Sequence, residues 1–88
     1  MLFRHLESRI AKALLQLAQN SGRKHVDGLS VDLHLSQREL GNIAGCSRES
    51  VNKQLQIWHR EGLIDLGKGL IVIRDLAALE RLVMSPDL

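Results

Sequence analysis

One glycine, Gly45, most limits what this chain can become: it stands between two amphipathic segments, and no other glycine or proline occurs from Asn42 to Glu61. Glycine there supplies the positive φ that lets a chain leave one helix and turn at once toward another. Upstream, Ser36 and Glu39 have the spacing of a capping box and predict a helix starting at Gln37, with Leu35 and Leu40 spaced as a hydrophobic staple. Leu40, Ile43 and Ala44 then share one side, and Gly41 is small where two helices would cross closely. Downstream, Ser47 is a good N-cap and Gly62 suits the C′ position, so a second helix is expected over 48–61. Leu35 to Gly62 is therefore predicted to be a helix-turn-helix.

The second helix carries the chemistry. At about 100° per residue Val51, Leu55 and Trp58 share one arc, while Arg48, Glu49, Asn52, Lys53 and Gln56 occupy a separate arc of roughly 140°. These polar types match base edges: Arg or Lys donates to guanine O6 and N7, Asn or Gln pairs with adenine N6 and N7, and Glu accepts from cytosine N4. A helix whose N-terminal half carries such residues suits insertion into a major groove. Any amphipathic helix also has a solvated face, and a rival reading makes this face a winged-helix protein-protein interaction module without base readout. The net charge of only +2 favours the rival, but a protein interface centres on aromatic or aliphatic anchors and this arc has none.

The rest of the chain supplies a core around that motif. A first helix is predicted over 3–19, with Leu6, Ile10, Ala13, Leu14 and Leu17 three and four apart. Asn20 to Gly22 end it, and the segment from Gly22 to Leu29 reads as a loop with an Asp27-Gly28 turn signal. Residues 30–35 alternate as a short strand. After Gly62 the period changes: residues 63–66 and 70–73 flank Gly67-Lys68-Gly69 as a β-hairpin, the wing. Lys68 at its tip suits a phosphate contact or is simply a solubilising charge. Asp75 is a fair N-cap for a last helix with Leu76, Leu79, Leu82 and Val83 as its stripe, ended by Ser85-Pro86. The expected fold is mainly α with a small β-hairpin, one winged helix-turn-helix domain over 1–88.

Composition removes other classes. With 88 residues, 44% hydrophobic and 25% charged, the chain is an ordinary globular domain. Phe3 and Trp58 are too few aromatics for a base-stacking platform on single strands or RNA. No apolar run nears the roughly 18 residues of a membrane span, and the lone Cys46 forbids an intrachain disulfide, which fits the cytoplasm. Cys46 is a small buried thiol or, given exposure and a lowered pKa, a redox switch. His5, His25, His34 and His59 show no metal-ligand spacing, so no metal is expected. No nucleophile elbow, Walker loop or dinucleotide fingerprint is present, and no catalytic residue or enzyme is read here.

The run SQRELGNIAGCSRESVNKQL, followed by EGLI, a Gly-rich turn and IVIRD, resembles the C-terminal DNA-binding domain of the cyclic AMP receptor protein and FNR (CRP/FNR) family of bacterial transcription regulators. The resemblance spans nearly the whole chain and is sharpest at Gly45-Cys46-Ser47-Arg48-Glu49 and Val51. It implies that Arg48 contacts guanine, Glu49 contacts cytosine and Lys53, where the family usually has Arg, makes a third base contact. Asn52 replaces a small residue and either adds readout or blocks it, while Gln54 falls where an apolar residue is usual. Backbone contacts are assigned to Ser36, Gln37, Arg38, Ser47, Gln56 and Lys68, with Arg60 a weaker candidate at the far end.

The same resemblance implies a homodimeric parent on a double-stranded DNA inverted repeat, its two recognition helices roughly 34 Å apart. It implies no cofactor in this chain: a cyclic nucleotide or other effector would bind a separate domain. The loop from Gly22 to Leu29, with His25-Val26-Asp27-Gly28 as His-x-Asp-Gly, touches RNA polymerase in an activator or merely bridges its neighbours. Met1 lies almost on top of the first helix, where the family has a sensor domain and a dimerisation helix. The chain is therefore expected to be a piece of a longer regulator.

Overall fold

The computed structural model describes residues 2–84, so the expected stop at Ser85-Pro86 lies outside the described residues. The first helix, α1 (Leu2–Ser21), buries Ile10, Ala11, Ala13, Leu14 and Ala18. Their three- and four-residue spacing is what puts them on one face.

Two strands follow where a loop was expected. β1 (Arg23–His25) and β2 (Gly28–Asp32) form an antiparallel hairpin with Arg23 opposite Ser30 and His25 opposite Gly28. Arg23, Lys24 and His25 are all exposed, so β1 has no buried side to leave an alternating pattern; backbone pairing with β2 and the Ser30 Oγ, which donates to the Arg23 carbonyl at 3.4 Å, hold it. β2 also ends at Asp32, three residues short of the expected strand.

The motif's first helix, α2 (Leu33–Ala44), consequently begins a turn earlier than the capping-box spacing predicts. Its N-cap is Asp32, whose carboxylate accepts from the Leu35 N–H at 2.9 Å. The β2 ladder stops at Asp32 opposite Leu70, and the Leu33 N–H is taken by the Gly69 carbonyl at 2.8 Å. Helix entry is thus fixed before Ser36 is reached. Ser36 lies buried inside the helix and Leu35 is 64% exposed, so neither the box nor the staple forms. The buried face runs Ser36, Gln37, Leu40, Gly41 and Ala44, which turns Ile43 outward against expectation.

Gly45 adopts the left-handed conformation at φ 70° and ψ 41°, and the Cys46 N–H donates to the Gly41 carbonyl at 2.9 Å. The turn therefore closes as the glycine requires. Ser47 caps the second helix, α3 (Arg48–Arg60), its Oγ accepting from the Ser50 N–H at 3.1 Å. Val51, Leu55 and Trp58 form the buried face of α3, as their spacing predicted.

The wing consists of β3 (Ile64–Gly67) and β4 (Leu70–Ile73), paired antiparallel. It is half of a larger sheet: β2 pairs with β4, giving four antiparallel strands in the order β1-β2-β4-β3. A last helix, α4 (Leu76–Met84), starts at Asp75, whose carboxylate accepts from the Ala78 N–H at 3.0 Å. Leu79 is buried and Leu82 and Val83 half-buried against the core. Leu76, expected in the same stripe, is exposed in the first turn of α4. The core gathers Trp58 with Ile10, Leu14, Leu40, Leu55, Ile64, Ile71 and Leu79, all fully buried. This wedges the motif between α1 and the sheet.

Candidate nucleic-acid interface

α3 projects Arg48, Glu49, Asn52, Lys53 and Gln56 into solvent on the side away from Val51, Leu55 and Trp58. Five of the expected contact residues are thus brought to one helix face, most of them in its first two turns. The first amides of α3 have no partner one turn back, and the helix dipole adds partial positive charge there. Glu49 in the first turn complements that charge. The face so combines donors, an acceptor and an anion-tolerant helix end.

A side chain of α2 organises this face. Gln37, only 8% exposed, accepts at its Oε1 from Arg48 Nη2 at 3.0 Å and Nε at 3.3 Å. Its Nε2 donates to Asn52 Oδ1 at 2.6 Å. The phosphate contact expected of Gln37 does not fit this position, because its amide is buried and engaged at both ends. Sequence spacing could not foresee the link, since it joins residues on two helices through a turn.

The remaining expected contacts divide clearly. Arg38 is exposed on α2, and Arg60 is exposed at the far end of α3. Ser36 is 4% exposed and no longer caps a helix, so its side chain is not offered to a phosphate. The N-terminus of α2 is also spoken for: Asp32 and Gly69 take the Leu35 and Leu33 amides, and the Asp32 carboxylate repels an anion. The exposed Ser47 hydroxyl accepts from Ser50 N and donates to Ser50 Oγ at 3.0 Å. Lys68 is exposed at the wing tip, and the Leu33–Gly69 bond ties that tip to the start of α2.

Two residues of α1 brace the motif from behind. Arg9 Nη2 donates to the Ala44 carbonyl and, at 3.3 Å, to that of Gly45. Glu7 Oε2 accepts from Trp58 Nε1 at 3.2 Å and from Gln54 Nε2 at 3.4 Å. Gln54, at a position where an apolar residue is usual, thereby takes a polar partner. Neither brace was anticipated, although Glu7 falls in register with Ile10, Ala11 and Leu14, a sign that a carboxylate edges the buried stripe. Burial pushes the Cys46 thiol above its ordinary pKa of 9.0, with Arg9 pulling weakly the other way. Cys46 is half-buried, so the structure favours the packed thiol over the redox switch.

A cleft of about 440 Å³ lies on the other side of α2, walled by Leu17, Val31, Leu35 and Leu70, and no residue of α3 lines it. Among the described residues no three metal-ligating side chains cluster, and no helix is long and apolar enough to cross a membrane.

The chain matches the family of Crp-like helix-turn-helix domains over residues 8–82. It is 38% identical over 81 residues to the CRP-like cAMP-activated global transcriptional regulator of Mycobacterium tuberculosis, covering 92% of this chain and 36% of that protein. It is 34% identical over 83 residues to the cyclic AMP receptor protein of Thermus thermophilus, covering 94% and 35% respectively. Among solved structures, a CRP/FNR-family transcriptional regulator from Thermus thermophilus superposes with TM-score 0.80 at 30% identity, over 92% of this chain and 41% of the other. The catabolite activator protein of Thermus thermophilus gives TM-score 0.75 at 32% identity, over 93% and 35%. The chain thus spans about a third of the length of these curated relatives.

Proposed function

The chain belongs to the family of Crp-like helix-turn-helix domains, and from that premise we propose that it binds double-stranded DNA sequence-specifically as the DNA-binding domain of a bacterial transcription regulator. The supporting observation is the exposed face of α3, where Arg48, Glu49, Asn52 and Lys53 stand together beside the helix N-terminus. In this reading α3 enters the major groove, Arg48 reads guanine and Glu49 reads cytosine. Asn52 and Lys53 contact neighbouring bases. Arg38, Ser47, Gln56 and Lys68 hold the phosphate backbone and set the register.

The domain serves a longer regulator that acts as a homodimer on an inverted repeat, its effector bound outside this chain. The exposed tip of the β1–β2 hairpin, where Val26 is 94% exposed, is the part offered to RNA polymerase. No step of this function requires catalysis. Selection from a library of randomised duplexes tests the reading: the chain should enrich a motif holding G·C pairs. Retention of DNA without any enriched motif would remove base readout, and no retention would transfer the α3 face to a protein partner.

A further inference from the structure

We infer that Gln37 is a positioning residue for base readout: it directs Arg48 toward guanine and forces Asn52 to present only its amino group to the DNA. This rests on the DNA-binding reading and deepens it.

The polarity of the network follows from Arg48. A guanidinium has donors and no acceptor, so the Gln37 atom facing it is the carbonyl oxygen. The Gln37 amino group then points the other way, and the Asn52 atom that meets it at 2.6 Å must be the oxygen. One donor-only side chain thus sets the orientation of two amides in series. Gln37 is nearly buried while Arg48 and Asn52 are exposed, so the buried member holds the two exposed ones.

Each partner is left with a defined free edge. Arg48 uses Nε and Nη2 on Gln37, which occupies the side of its fork. The end of the fork, made by Nη1 and the second Nη2 hydrogen, is free for guanine O6 and N7. Asn52 has its oxygen engaged and its Nδ2 hydrogens free. The bond turns that oxygen toward Gln37, which disfavours the two-bond pair with adenine and favours bases that offer oxygen acceptors in the major groove, guanine and thymine.

Base-preference profiles from randomised duplexes, taken for the wild-type chain, Gln37→Glu, Gln37→Ala and Asn52→Ala, test this. Asn52→Ala identifies the base pair read by Asn52 as the one whose preference flattens. Gln37→Glu is nearly isosteric and still accepts from Arg48, but cannot donate. Asn52 must then flip, turning its oxygen outward. The preference at its base pair should move by about tenfold from guanine or thymine to adenine or cytosine, whose amino groups donate, with the Arg48 guanine preference kept.

Gln37→Ala, with its fold checked by circular dichroism, should lose roughly fivefold of the guanine preference at the Arg48 position. A purely structural role would weaken all sequences alike. An unchanged profile in Gln37→Glu would overturn the proposal. If the wild-type chain enriches no sequence, the DNA-binding reading itself fails, and hydrogen exchange in the free protein then decides the Gln37 role. Slowed exchange of the Asn52 Nδ2 protons in Gln37→Glu relative to wild type supports it, and unaltered exchange refutes it.

Discussion

Arg9 of α1 donates to the backbone carbonyl of Ala44, the last residue of α2 and 35 positions away in the chain. The same guanidinium reaches the Gly45 carbonyl at 3.3 Å. A cation at a helix C-terminus satisfies carbonyls that the helix leaves open and complements its dipole. Arg9→Ala should therefore destabilise the fold by about 1–2 kcal/mol in urea unfolding, with Arg9→Lys recovering part of the loss. DNA affinity should fall in both variants at partly denaturing temperatures. An unchanged urea midpoint in Arg9→Ala would show that the turn stands without this brace.

Glu7 plays the matching role for the core. The indole of Trp58 is fully buried and donates to Glu7. Glu7→Ala leaves that N–H unsatisfied and should cost about 1–3 kcal/mol. Glu7→Gln keeps an oxygen acceptor and should cost less. Trp58 is the only tryptophan, so its fluorescence reports the site directly: a shifted emission maximum is expected in Glu7→Ala and little change in Glu7→Gln.

Lys68 sits at φ 54° with Gly69 at φ 74° in a two-residue turn between Gly67 and Leu70. Positive φ at both central residues suits Asn-Gly and burdens a lysine. Lys68→Asn should stabilise the chain by about 0.5–1 kcal/mol while removing the phosphate contact proposed for Lys68. Stability and DNA affinity should thus move in opposite directions, and the salt slope of binding should flatten by about one charge. A preserved slope would take Lys68 out of the interface.

Cys46 is pushed above its ordinary pKa chiefly by burial. It should react with iodoacetamide at neutral pH more slowly than a free thiol such as glutathione. The sign of the stability effect follows: above about pH 9 the unfolded chain releases a proton that the folded chain keeps, so stability falls as pH rises through that window. Cys46→Ser should remove this part of the alkaline loss, measured by urea unfolding at about pH 8 and about pH 10. Rapid alkylation at neutral pH would contradict the burial account.

These relationships also mark what the sequence could and could not carry. The α3 face was legible because its residues belong to one helix, and a period of about 3.6 places Arg48, Glu49, Asn52 and Lys53 without reference to any neighbour. The turn at Gly45 was legible for the same local reason. Entry into α2 was not. Ser36 and Asp32 are both competent caps, and the choice between them is made by β2 pairing with β4 and by Gly69 taking the Leu33 amide. β1 leaves no alternating signal in the sequence because Arg23, Lys24 and His25 all face solvent. The residue type and helix of Gln37 suit a phosphate contact, whereas its burial depends on where α3 lies across α2.

Base readout by Arg48 is decided by fluorescence anisotropy. A labelled duplex carrying the motif enriched by the wild-type chain would be titrated beside one with the Arg48 guanine replaced, using wild type and Arg48→Ala. Wild type should discriminate between them by about 1–3 kcal/mol, and Arg48→Ala should bind both alike at the weaker affinity. Equal loss of affinity for both duplexes in Arg48→Ala, with discrimination intact, would contradict the account and make Arg48 a backbone contact.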